Sequence, residues 1–242
     1  MIDLHAHILP GLDDGSQSLR ESLEMARIAA QSGVRAMVVT PHCMDSRARA
    51  VRASVSRLRS ALEDAQIPLQ LFEGMEIFGT RETAYLLQEE RLLTLNRSRY
   101  PLIEFPFQSN GDIETEILNS VLEAGFRPVV AHPERYRYVQ REPALMNLWQ
   151  KMGCLFQINR GSLLGRFGYE AQKLALALVD RGFATAVASD AHSSHARTPW
   201  MQDIKEFITE EFSPVAAEYL LRRNPGKIIN NEPLAYEEPE WF

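Results

Sequence analysis

The sequence predicts an α/β fold in which parallel strands close, or nearly close, into a barrel. Three observations support this. Seven short apolar runs alternate with helix-patterned segments along the chain, as in successive βαβ units. The runs are mostly unalternating, which suits strands buried on both faces. No glycine-rich dinucleotide fingerprint is present, so a closed barrel is favoured over an open doubly wound sheet. The 242 residues, 45% of them hydrophobic, suffice for one core, and no repeat or flexible linker divides them. One domain over 1–242 is expected.

The strand-like runs, in order, are MIDLH, RAMVVTPH, LQLFEGMEI, YPLIEF, RPVVAHP, CLFQIN and ATAVASDAH. Each is rich in Val, Ile, Leu or Phe. The first helix should start at Ser18, where SLRE forms a capping box with Glu21, and stop near Gly33. The second is expected over Arg47–Ala65, with Val51, Val55, Leu58 and Leu62 facing inward and arginines elsewhere. Further helices are expected over Glu82–Glu90, Asp112–Ala124, Pro143–Met152 and Tyr169–Arg181. Two more should follow Pro199 and Pro214. The acidic tail NEPLAYEEPEWF reads as an extension lying on the surface.

Composition narrows the function classes. The formal net charge is −6, with pI ≈ 5.6, so no overall basic field invites nucleic acid or anionic lipid. An anionic substrate would need a local positive cluster. Two cysteines, Cys43 and Cys154, make no disulfide framework. The N-terminus has no signal-peptide pattern, and no apolar stretch approaches the roughly 20 residues that span a bilayer. A cytoplasmic location without membrane insertion is expected.

Polar residues fall at strand ends. His5 and His7 end the first run, His42 the second, Glu76 the third and Glu104 the fourth. His132 ends the fifth, and Asp190 and His192 end the seventh. In a parallel barrel these ends share one face, where such folds place their chemistry. Five of the six histidines belong to this set; His195 falls outside it and reads as a surface-loop residue. Imidazole and carboxylate ligate Zn, Mn or Fe. His5 and His7 lie two apart on an extended segment, so both point the same way. Asp190 and His192 repeat that spacing, and Glu76 is placed to bridge two ions. With Asp13 or Asp14 from the first loop, the donors exceed what one ion needs. Taken singly, each residue also has a structural reading, and Asp13 and Asp14 beside Gly11 and Gly15 read equally well as turn residues. Taken together, so many ionisable groups at one rim call for cations.

Arg135 follows His132 in HPERY, and Arg197 follows His192 in DAHSSHARTP. Arginine's planar fork of donors matches phosphate oxygens. Two such residues beside a metal cluster point to a phosphoester. Arg47, Arg49, Arg52, Arg57 and Arg59 mostly decorate a solvated helix face, with the first two as candidates to reach the rim. HCMDSRAR also matches the H-C-x5-R pattern of cysteine-dependent phosphatases. However, no glycine lies between Cys43 and Arg49 to turn amides inward, and Asp45 would repel phosphate. Cys43 is therefore read as a bystander and Cys154 as a core residue.

The pieces DLHAHILPGLDDG, TPH, GMEI, LIEF, AHPERY and ASDAH resemble the polymerase and histidinol phosphatase (PHP) superfamily. Within it they are similar to the bacterial protein-tyrosine phosphatases of capsule and exopolysaccharide operons, from residue 2 to about 230. The resemblance implies a distorted (β/α)7 barrel with two or three ions, usually manganese, with iron or zinc possible. By it, His5, His7, Glu76 and Asp190 would hold one ion. Glu76, Glu104 and His132 would hold a second, and Asp14, His42 and His192 a third. Arg135 and Arg197 would grip phosphate as the catalytic pair. The implied partner is a phosphotyrosine protein, the C-terminal tail of a bacterial tyrosine kinase that regulates polysaccharide synthesis. The loop CMDSRARAV and the tail after Asn231 match no part of the pattern. A second reading keeps the class but takes histidinol phosphate or another small monoester. A third is a non-catalytic metal-binding regulatory module. No general acid is assigned; His42 and Asp14 would qualify only if not committed to metal.

Overall fold

The computed structural model describes residues 1–43, 48–235 and 238–242. Strands and helices alternate: β1 (Ile2–Ala6), α1 (Leu19–Gln31), β2 (Ala36–Val39), β3 (His42–Cys43), α2 (Ala48–Asp64), β4 (Gln70–Glu73) and β5 (Glu76–Phe78). Then come α3 (Thr83–Gln88), β6 (Leu102–Glu104), α4 (Asp112–Glu123), β7 (Val129–Ala131), α5 (Arg137–Arg141) and α6 (Leu145–Met152). The chain continues through β8 (Leu155–Asn159), α7 (Arg160–Leu163), α8 (Tyr169–Asp180), β9 (Ala186–Ala188), α9 (Gln202–Glu211), α10 (Pro214–Glu218) and α11 (Asn224–Ile229). All strand pairings are parallel, in sheets ordered β1-β2-β4 and β3-β5-β6-β7-β8-β9. β1 meets the β9 end through an Ala6–Ala191 bridge; the His7 N–H donates to Ala191 O at 2.8 Å.

Two of the seven expected strands are each broken into a pair. RAMVVTPH divides into β2 and β3 at Thr40–Pro41, because proline has no N–H for the ladder. LQLFEGMEI divides into β4 and β5 at Gly74–Met75. A Cβ on Gly74 would lie 2.7 Å from Val38 Cγ1, so only glycine allows that approach. The breaks change which residues pair without changing the chain's direction, and they bring Glu76 level with His42.

The helices follow their patterns. Ser18 caps α1 by accepting the Glu21 N–H, and Glu21 reaches back to the Gln17 N–H. Val51, Val55, Leu58 and Leu62 are buried on α2, as expected. Arg47, the expected helix start, lies outside the described residues, as does Asp45; Arg49 is exposed. The helix expected from Pro143 starts two residues later, at Leu145. The sequence pattern missed α5 and α7; runs of four or five residues are too short to show a helical period. Trp149 of α6 is fully buried and donates to Thr115 Oγ1 at 2.8 Å.

The tail departs from the expectation of a surface extension. Trp241 and Phe242 lie against Phe183, with ring centroids 6.0 and 5.2 Å away. Arg181 donates to Trp241 O at 2.8 Å, and the Phe242 N–H donates to Asn147 Oδ1. The aromatic ends bury apolar area that outweighs the acidic character of the residues before them. Replacing both with alanine should cost about 1–2 kcal/mol and lower Tm by about 3–6 °C, measured by calorimetry. An unchanged Tm would show that the contact adds nothing.

Candidate metal centre

β1 carries Asp3 and His5, and His7 follows one residue past its end, in line with them by the two-residue period of an extended chain. Asp3 binds the Ser189 N–H and hydroxyl at 3.0 and 2.6 Å, tying β1 to the β9 end. His5 and His7 point onward to a carboxylate from β5. Glu76 Oε2 lies 3.1 Å from His5 Nε2, 3.2 Å from His7 Nε2 and 3.0 Å from His42 Nδ1. Its other oxygen lies 2.7 Å from His132 Nε2. Four imidazoles therefore surround one fully buried carboxylate. Asp190 Oδ1 lies 3.5 Å from both His5 Nε2 and His7 Nε2. Glu104 Oε1 lies 2.8 Å from His42 Nδ1. Asp14 Oδ1 lies 3.5 Å from both His42 Nε2 and His192 Nε2.

Partners outside the cluster orient the rings. His5 Nδ1 donates to Gln157 Oε1 at 2.8 Å, His7 Nδ1 to Asp13 Oδ2 at 2.7 Å, and His192 Nδ1 to Asp190 O at 3.0 Å. Each leaves an Nε2 lone pair facing inward, the usual disposition of a ligating histidine. Gln157 donates in turn to Asn159 Oδ1, and Asn159 donates to Asp190 Oδ2. Backbone strain accompanies the geometry. His132 and Asp190 adopt φ of 36° and 50°, in the left-handed region, as residues at functional sites do. Gly15 lets the first loop fold over His7; a Cβ there would sit 2.1 Å from His7 O.

Charge is tightly balanced. Burial disfavours the charged forms of His5, His7, Glu76 and Asp190. For Glu76 and Asp190 the surrounding imidazoles prevail and hold both carboxyls well below their ordinary range. For His7, burial is overcome by Asp13, Asp190 and Glu76, and its pKa stands well above the usual value. His42 is raised to about 10 by Glu104 and Glu76 against the same opposition. His192 moves the other way, to about 4, through burial and the neighbouring His7. Asp13, despite burial, is drawn down to about 2 by His7.

The donor set fits divalent cations. Glu76 Oε2 is buried with three imidazole nitrogens close by, yet it makes no hydrogen bond. Donors ~2.1 Å from a shared ion sit about 3.0–3.4 Å from one another, and the three imidazole nitrogens around Glu76 Oε2 lie 3.0, 3.1 and 3.2 Å from it. Four groups of candidate ligands lie within reach of an ion: His7, Asp14, His42 and His192; His5, His7 and Asp190; His5, Glu76 and His132; and His42, Glu76 and Glu104. Every ligand named from the sequence falls in one of them. The grouping differs from the one the resemblance implies: His132 stands with His5 and Glu76, Glu104 stands with His42 and Glu76, Glu76 is absent from the His5–His7–Asp190 group, and His7 joins Asp14, His42 and His192.

Both named arginines reach the rim. Arg135 donates to Asp190 Oδ2 at 3.3 Å, and Arg197 pairs with the same oxygen. The Arg197 Nε is buried without an acceptor among the described residues. His195 is exposed, as expected. One loop residue was left open in the sequence reading, and two strand residues escaped it. Asp13, which reads as a turn residue, holds His7 and the His42 N–H. Gln157 and Asn159 end β8. Their signal was present, since CLFQIN is the one expected strand without a named ligand and ends in two polar residues spaced by two.

Comparison with known proteins places the chain in a family. The family described as "Capsular polysaccharide synthesis, CpsB/CapC" matches residues 1–230. The tyrosine-protein phosphatase YwqE of Bacillus subtilis is 34% identical over 99% of this chain and 96% of its own. The tyrosine-protein phosphatase CpsB of Streptococcus pneumoniae is 30% identical over 96% and 99%. A solved structure from work on YwqE and CpsB, described as unique metal-dependent tyrosine phosphatases, superposes with a TM-score of 0.94. It is 34% identical and covers 100% of this chain and 99% of its own. The lactonase Lmo2620 of Listeria monocytogenes shares the fold, with a TM-score of 0.61 at 13% identity over 96% and 95%. The chain belongs to the CpsB/CapC family of capsular polysaccharide synthesis proteins.

Proposed function

We propose that this chain is a metal-dependent protein-tyrosine phosphatase of capsular or exopolysaccharide synthesis. The observation that carries the reading is the buried Glu76, ringed by imidazoles, beside two arginines that share Asp190. Relatives at 30–34% identity bear the tyrosine-protein phosphatase name over nearly their whole length. In this reading residues 1–242 form one domain, and the two sheets are segments of one distorted seven-strand barrel of the PHP type. The continuity of β2 with β3 and of β4 with β5, and the β1–β9 bridge, support it.

His5, His7, Asp14, His42, Glu76, Glu104, His132, Asp190 and His192 are the proposed ligands of two or three ions, manganese by family resemblance. Bound divalent cations supply a water nucleophile at neutral pH and stabilise phosphoryl charge. The chain's own residues do the rest. Gln157, Asp13 and the Asp190 carbonyl hold three imidazoles in their ligating orientation. Arg135 and Arg197 bind the phosphoryl oxygens, and the unsatisfied Arg197 Nε supplies a donor ready for an anion. Phenolate has a pKa of about 10, so tyrosine leaves without a dedicated acid.

The partner is a phosphotyrosine protein, the C-terminal tail of a tyrosine kinase, and the location is cytoplasmic. The net charge of −6 supports a reading without nucleic acid. No helix among the described residues is long and apolar enough to cross a membrane. The test is a comparison of kcat/KM for a phosphotyrosine peptide and for histidinol phosphate, using manganese-loaded protein. The peptide should win; a clear win for histidinol phosphate would reassign the substrate. Metal uptake with no turnover of either would favour a regulatory module.

Cys43 enters none of this. It follows His42 on β3, so its side chain points to the opposite face, into the apolar core. Cys43→Ser should keep kcat within about threefold, read with p-nitrophenyl phosphate; loss of activity would revive a cysteine mechanism.

A further inference from the structure

We infer that the cleft beside Arg135 receives the aromatic ring and flanking chain of a phosphotyrosine peptide, with Phe107 and Phe167 gripping the ring. This deepens the phosphatase reading and rests on it. The cleft is about 500 Å3 and is lined by Phe107, Arg135, Arg137, Gln140, Phe167 and Tyr169, among others. Arg135 belongs to both regions: its Nη1 donates to Asp190 at the centre, and its guanidinium carbon lies 4.7 Å from the Phe107 ring and 4.4 Å from the Phe167 ring. The cleft and the proposed phosphate site therefore share Arg135.

The two rings are held in place. Phe107 lies three residues past Glu104, and its carbonyl accepts the Arg137 N–H at 2.9 Å. Its ring is 6.1 Å from that of His132 and 42% exposed. Phe167 packs on Gly161, where a Cβ would lie 2.6 Å from its ring, and it also faces Arg197 at 5.5 Å. Tyr169, 72% exposed, extends the aromatic surface outward. Of the nine large apolar side chains exposed among the described residues, Phe107 and Tyr169 line this one cleft with a phosphate-gripping arginine, which is a recognition pattern. A flat aryl group matches it through offset and edge contacts with both rings. Arg137, exposed and also in the lining, offers charge to acidic flanking residues, while the exposed Glu170 of the same lining sets a limit to that preference.

The test uses manganese-loaded protein and two readouts. Phe107→Ala and Phe167→Ala should each raise KM for a phosphotyrosine peptide about three- to tenfold. The inhibition constant of inorganic phosphate, which has no ring, should move less than about twofold. Equal movement of both would mean that the phenylalanines only brace the arginines, and the inference would fall. Tyr169→Ala and Arg137→Ala should lower the ratio of peptide to p-nitrophenyl phosphate kcat/KM at least about threefold, whereas Val215→Ala, on the remote α10, should leave it unchanged. An unchanged ratio in both cleft variants would place the peptide elsewhere. If wild-type protein turned over neither substrate, the phosphatase reading would fail instead.

Discussion

Treatment with a chelator should abolish phosphotyrosine hydrolysis by the purified protein, and manganese should restore it. The physical basis is the crowding around Glu76. Glu76 and Asp190 are buried, as are His5, His7 and His132, and the nitrogens and oxygens facing inward are lone-pair donors held by outer hydrogen bonds. Such a constellation binds protons or cations, and only cations activate water near neutral pH. Glu76→Gln tests the same point within the chain. It keeps the shape but removes the charge shared by four imidazoles. The expected loss in kcat/KM is about a thousandfold, roughly 4 kcal/mol of transition-state stabilisation. Metal content measured alongside should fall. Full activity in the chelated protein, or in a Glu76→Gln variant retaining its metal, would undo the metal-centred mechanism. The chelated protein should also melt earlier, because a cation that binds only the folded state stabilises it by mass action.

The second large effect concerns the arginines. Arg197→Ala and Arg135→Ala should each reduce kcat/KM by about a hundredfold or more, with metal content unchanged. Both side chains converge on Asp190 Oδ2 and keep further donors for a ligand. Lysine should not rescue either position, since a point charge cannot reproduce a planar fork of donors. Arg135→Lys would also lose the flat contact with Phe107 and Phe167. Retained activity in either alanine variant would remove that residue from phosphate binding. A loss matched by a loss of metal would reassign the arginine to holding Asp190.

Much of this site was legible before folding. A parallel sheet places successive strand ends on one side, so His5, His7, His42, Glu76, Glu104, His132, Asp190 and His192 could be collected from the sequence alone. Arg135 and Arg197 followed from their loops. The residues left Asp13 and Asp14 open, and only the family resemblance favoured Asp14; in the structure Asp14 faces two imidazoles, whereas Asp13 orients His7 from outside. Two adjacent carboxylates on a loop have no period, so no pattern tells which turns inward. Gln157 and Asn159 were passed over because neutral amides carry no ligand signature, although their strand position carries one.

The amino-acid order by itself determined the alternation of strands and helices, the inward stripe of α2, the cap at Ser18 and the rim on which the polar groups collect. These depend on side-chain periodicity and on backbone hydrogen bonding within a few residues, and both are local. Tertiary structure alone decided the break at Gly74, the pairing of Glu104 with His42 and of His132 with His5, and the docking of Trp241 and Phe242 on Phe183. Each depends on the distance between segments far apart in the chain. That distance is set by strand register and by the close approach that a missing Cβ permits, and no local pattern encodes either.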